Sequence, residues 1–116
     1  MQIQINTDRN ISGHEALSHK VEALIQHALH RFADRITRVE AHLSDVNGAA
    51  KPGPHDKRCL LEVRLSGLQP MSVTETAETL EQAVNGASKK MISMLDTSVG
   101  RLNKIDRSVP DLETSE

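Results

Sequence analysis

The chain has 116 residues, enough for one domain with a modest core, and a formal net charge of −2, so it is not a bulk polycation. Phe32 is the only aromatic residue, which leaves the core to Leu, Ile, Val, Met and Ala and excludes ring-stacking platforms for single-stranded nucleic acid. The single cysteine, Cys59, cannot form an intramolecular disulfide, which fits a reducing compartment, and no apolar run is long enough to span a membrane.

The opening MQIQIN alternates, with Ile3 and Ile5 on one face. It predicts a short strand over Gln2–Asn6 and is no signal peptide. After a polar connection, Leu17, Val21, Leu24, Ile25, Ala28 and Phe32 make a helical stripe, so a helix is expected from His14 to about Phe32. Ile36–Ser44 alternates again, with Val39, Ala41 and Leu43 on one face and Arg38, Glu40 and His42 on the other. The Gly- and Pro-rich segment Asp45–Asp56 reads as a loop.

Arg58–Ser66 is a third alternating strand, with Cys59, Leu61, Val63 and Leu65 inward and Arg58, Glu62 and Arg64 outward. A turn over Gly67–Pro70 leads to a fourth strand, Met71–Thr76. The last element is a long helix over roughly Thr79–Ile105, with Leu80, Val84, Ala87, Met91, Leu95, Leu102 and Ile105 on its apolar stripe. Gly86 and Gly100 interrupt it at a cost of about 1 kcal/mol each relative to alanine, and Gly86 is placed to allow close approach of the other helix or a partner. Residues 1–106 are expected to form the domain. Residues 107–116, with Arg107 against Asp111, Glu113 and Glu116, are expected to be an acidic, disordered tail.

The order β-α-β-β-β-α makes the first two strands parallel through a crossover, and hairpins add the rest. Each strand has one apolar face, so both helices must cover the same side. The expected fold is an α/β (α+β) two-layer sandwich: a four-stranded sheet with two helices on one face and an open, charged face opposite.

Both helices are sorted by sign. Lys90, Arg101 and Lys104 flank the last helix's stripe on one side, with Glu78, Glu81 and Asp96 on the other. Lys20, His27 and Arg31 flank the first helix, opposite Glu15 and Glu22. Two parallel helices sorted in the same sense can present parallel basic ridges, which suit phosphates. The plainer reading is that such charges only solvate the surface.

Other chemistry is thinly supported. His27 and His30 have ligand spacing, but no HExxH motif, second cysteine or suitably spaced carboxylate joins them, so no metal site is expected. Cys59 lies on an apolar strand face and reads as a structural thiol. Asp45-Val46-Asn47-Gly48 starts like a calcium loop but lacks the later glutamate. There is no P-loop and no catalytic set to place, so no enzyme, cofactor or small-molecule substrate is expected.

Taken together, MQIQIN, ISGHEALSHKVEALIQHALHRF with its closing Arg31-Phe32, ITRVEAHLSD and LEQAVNGASKKM resemble the ribosome hibernation-promoting factor family. That family includes the ribosome-associated inhibitors and the sigma-54 modulation proteins. The resemblance covers about residues 1–106. It implies a short form, without the C-terminal domain by which long members pair, and a fold similar to double-stranded RNA-binding domains. It also implies a cytoplasmic protein that binds the small ribosomal subunit and its RNA, occludes messenger and transfer RNA sites, and silences translation under stress.

By position, Lys89 and Lys90 match the basic part of the family's last helix, whereas Ser93 stands where many members carry arginine. The expected RNA-binding residues are Lys20, Arg31, Lys89, Lys90, Arg101 and Lys104. Arg38, Arg58 and Arg64 on the sheet are weaker candidates, because Glu40 and Glu62 partly offset them. The alternative is a protein-interaction module of the same fold that no longer binds ribosomes.

Overall fold

Four segments with a two-residue period and two with a helical period become six regular elements in the computed structural model. It describes residues 1–8, 14–45 and 56–108, with only the backbone at residues 14 and 101–108. The strands are β1 (Gln2–Thr7), β2 (Ile36–Asp45), β3 (Lys57–Leu65) and β4 (Met71–Ala77), and the helices are α1 (His14–Ala28) and α2 (Leu80–Ser108). The sheet order is β1-β2-β3-β4, with β1 parallel to β2 and the other two pairs antiparallel. This is the expected two-layer sandwich.

The inward residues of the central strands are closed to solvent: Val39, Ala41 and Leu43 on β2, and Cys59, Leu61, Val63 and Leu65 on β3. They meet Val21 and Ile25 from α1 and Val84, Ala87, Met91 and Leu95 from α2 in one core. Burial pushes the Cys59 thiol from its ordinary 9.0 up to about 12, so it stays protonated and packs as a small apolar group.

Three local details depart from the simple patterns. First, α1 ends at Ala28, and the chain tightens into a 3-10 turn, His30–Phe32. There Phe32 N–H donates to the Leu29 carbonyl at 2.9 Å. Leu29, absent from the predicted stripe although it follows Val21 and Ile25 at steps of four, bonds its N–H to the Ile25 carbonyl and is fully buried, while Ala28 is half-buried. Second, strict alternation would place Ile36 on the outward face beside Arg38. A register shift between these residues turns Ile36 inward, where it is 3% exposed. Third, α2 runs on to Ser108, beyond the expected end at Ile105. Its start is a capping box: Thr79 Oγ1 accepts the Gln82 N–H at 3.1 Å, and Gln82 Oε1 accepts the Thr79 N–H at 3.2 Å.

Of the predicted Asp45–Asp56 loop, residues 46–55 lie outside the described residues, as do 109–116 of the predicted tail. At the foot of the loop, Lys57 Nζ reaches Asp45 at 3.2 Å and the buried Asp56 at 3.0 Å. The hydrogen bond to Asp56, followed by that to Asp45, raises the Lys57 pKa. At the β3–β4 turn, Gly67 supplies a φ of +78° that side-chain-bearing residues rarely adopt.

Gly86 has a different role. A Cβ there would lie 2.7 Å from Cγ of Glu75 and 2.8 Å from its Oε2. The glycine therefore admits the side chain of an edge-strand residue, not the other helix. Gly86→Ala is expected to gain less than the about 1 kcal/mol by which alanine favours helix, because the Glu75 side chain must shift to make room. The full gain should emerge only with Glu75→Ala also present. A double-mutant cycle by chemical denaturation checks this. If Gly86→Ala gains as much with Glu75 in place as without it, the packing role is wrong.

Candidate nucleic-acid interface

The helix layer brings the two sorted helices side by side and parallel. Lys20 of α1 pairs with Glu81 in the first turn of α2, and Arg31, just past α1, pairs with Asp96 further along. This arrangement follows from the sorting itself. When two parallel neighbours carry their basic groups on the same side, the basic flank of one faces the acidic flank of the other. Among the described residues, Lys20 and Arg31 therefore form no free basic ridge on the first helix. Lys20 and Arg31 are held across the groove, with 62% of each side chain still exposed. The Arg31 guanidinium also lies over the Phe32 ring, 4.8 Å from its centre.

The basic flank of α2 points the other way, toward the sheet edge. Lys90 Nζ is 2.7 Å from Glu75 Oε1 and donates to the Thr74 carbonyl at 3.0 Å. β4 is an edge strand, so this pair joins α2 to the rim of the sheet. Lys89 is exposed and makes no salt bridge among the described residues. The side chains of Arg101 and Lys104, predicted on this flank, lie outside the described residues.

The open sheet face is ordered in rows by the strand register. Arg38 stands opposite Arg64, and Glu40 opposite Glu62. Within β2 the signs compensate: Arg38 Nε donates to Glu40 Oε2 at 2.8 Å, and its guanidinium also reaches Gln4 of β1. The Arg38 hydrogen bond leads the lowering of the Glu40 pKa. His42 adds a second contact to Glu40 at 3.4 Å and one to Asn6 at 3.4 Å.

Arg58 and Arg64 are exposed and carry no salt bridge among the described residues. Six residues apart on β3, they are separated by roughly 20 Å. The sequence ranked the sheet arginines below the helix cations. The geometry splits that group, leaving Arg58 and Arg64 unpaired and Arg38 engaged.

The partner carboxylates Glu75, Glu81 and Asp96 were not identified as site residues from sequence. Glu81 and Asp96 are visible as an acidic flank, but what they face depends on helix placement. Glu75 belongs to β4, and no local signal links it to Lys90 on α2. Elsewhere, His27 and His30 line an open depression on the outside of α1 with Ala23 and Gln26. Among the described residues, no three His, Cys, Asp or Glu come together as a metal-binding group.

The sequence pattern of the family described as Sigma 54 modulation protein / S30EA ribosomal protein matches residues 3–103. The chain belongs to this family. The match runs from β1 well into α2 and includes every strand and both helices of the sandwich.

Two solved structures are similar in fold. A ribosomal subunit interface protein from Coxiella burnetii aligns with a TM-score of 0.66 at 16% identity, covering 86% of this chain and 99% of that one. The N-terminal domain of Thermus thermophilus Protein Y aligns with a TM-score of 0.65 at 21% identity, covering 84% and 98%. No curated protein sequence gives a significant match. Among the described residues, no helix is long and apolar enough to cross a membrane.

Proposed function

We propose that this protein is a cytoplasmic, non-enzymatic ribosome-associated factor. It binds the small ribosomal subunit, occludes messenger and transfer RNA sites, and silences translation under stress. The observation that carries this reading is the family match over residues 3–103, which covers nearly the whole sandwich. Lys20, Arg31, Lys89, Lys90, Arg101 and Lys104 contact ribosomal RNA phosphates from the helix side. Arg58 and Arg64 add contacts from the sheet, with Arg38 a lesser contributor. Occlusion needs shape and cations but no reacting group, which agrees with a surface of paired and unpaired charges.

A second reading, a protein-interaction module without ribosome affinity, is favoured by one specific observation. Lys20, Arg31 and Lys90 are each already paired with a carboxylate of the same chain. Co-sedimentation with purified small subunits across a salt series separates the two. Binding at low salt that falls steeply as salt rises is expected for phosphate contacts. Failure to pellet even at low salt would overturn the ribosome reading in favour of the module.

A further inference from the structure

We propose that Glu75, Glu81 and Asp96 are built-in competitors for RNA phosphate, and that they set how tightly the helix face holds RNA. This rests on the RNA-contact reading above and adds to it the residues that limit affinity.

None of the three pairs is a neighbouring-turn pair within one helix. Glu81 reaches Lys20 across the groove between α1 and α2, Asp96 reaches Arg31 across 65 residues of sequence, and Glu75 reaches Lys90 from β4. In each, carboxylate oxygens accept the donors that phosphate oxygens would otherwise accept. The cationic side chains stay 55–62% exposed, so an incoming phosphate has access to them.

Binding RNA at these cations therefore means displacing a carboxylate. The displaced group then remains beside the phosphate as a like charge. Exposed pairs are weak, so each should reduce affinity by only roughly two- to fivefold. Three together are enough to decide whether binding is detected at physiological salt. Lys89 provides the contrast, because it makes no such pair among the described residues and is open to phosphate directly.

The test uses the full chain and purified small subunits, with affinity measured across a salt series. Glu75→Gln, Glu81→Gln and Asp96→Asn are made singly and together. These near-isosteric changes remove charge and keep shape, and Glu75→Gln still fills the space above Gly86. Glu22→Gln is the control. It removes the same charge from an exposed position of α1 that makes no salt bridge among the described residues.

The triple variant is expected to bind about tenfold or more tighter than wild type at moderate salt. Its log–log salt slope should steepen by roughly 0.7–0.9 for each cation that wild type leaves on its carboxylate and the variant places on a phosphate, and stay the same where wild type already makes the contact. The control should stay within about twofold of wild type.

Wild-type binding with an unchanged triple variant, or a control that matches the triple variant, overturns the competitor role alone. If neither wild type nor the triple variant binds at low salt, the RNA-contact reading fails as well. Each single variant is a separate test, so an unstable triple variant still leaves a result.

Discussion

Replacing Lys90, Arg101 and Lys104 together with glutamate is expected to weaken small-subunit binding on the order of a hundredfold near physiological salt. The salt dependence should also flatten. Each cation that neutralises a phosphate releases counterions and contributes about 0.7–0.9 to the log–log slope, so losing three contacts should remove roughly two or more from it. Reversal adds repulsion to the loss, which is why the effect exceeds that of neutralisation.

Lys90 also holds Glu75 and the Thr74 carbonyl of the sheet edge. A glutamate there would face a carboxylate, so some loss of stability is expected alongside the loss of binding. The double variant Arg101→Glu/Lys104→Glu leaves that contact in place and should show most of the binding defect. Co-sedimentation that survives the triple change unaltered would show that the basic edge is not the contact.

Leu61→Ala should cost about 3 kcal/mol of stability and lower Tm by on the order of 10 °C. Leu61 is fully buried on β3, between Ala41 of β2 and Val73 of β4, under the helix layer. Removing its branched end leaves a cavity that flanking strands cannot close, because their register is fixed by the hydrogen-bond ladder. A small, nearly ring-free core has few large side chains with which to compensate.

Leu60, one residue earlier, provides the contrast. It sits half-buried on the open face opposite His42, and Leu60→Ala should cost well under half as much. Chemical denaturation of both variants checks the pair. Equal losses would mean that the sheet is covered on both faces.

The strands and helices were legible in the sequence because their cause is local. A two-residue period at Cys59, Leu61, Val63 and Leu65, or a helical one at Val84, Ala87, Met91 and Leu95, is set by backbone geometry within a few residues. One apolar face per strand required both helices on one side, and the crossover from β1 to β2 required a parallel pair. The sorting of charge on each helix was legible for the same reason.

Its meaning was decided by tertiary structure. Only the placement of α1 beside α2 turns Lys20 toward Glu81 and Arg31 toward Asp96. Only the position of β4 sets Glu75 over Gly86 and within reach of Lys90. Periodicity tells which side of a helix is charged. It cannot tell what stands opposite, because that depends on elements distant in sequence that meet only when the core closes. The sequence by itself therefore determined the elements, their layers and which flanks carry charge. The tertiary structure decided which cations are already occupied and which remain open to a partner.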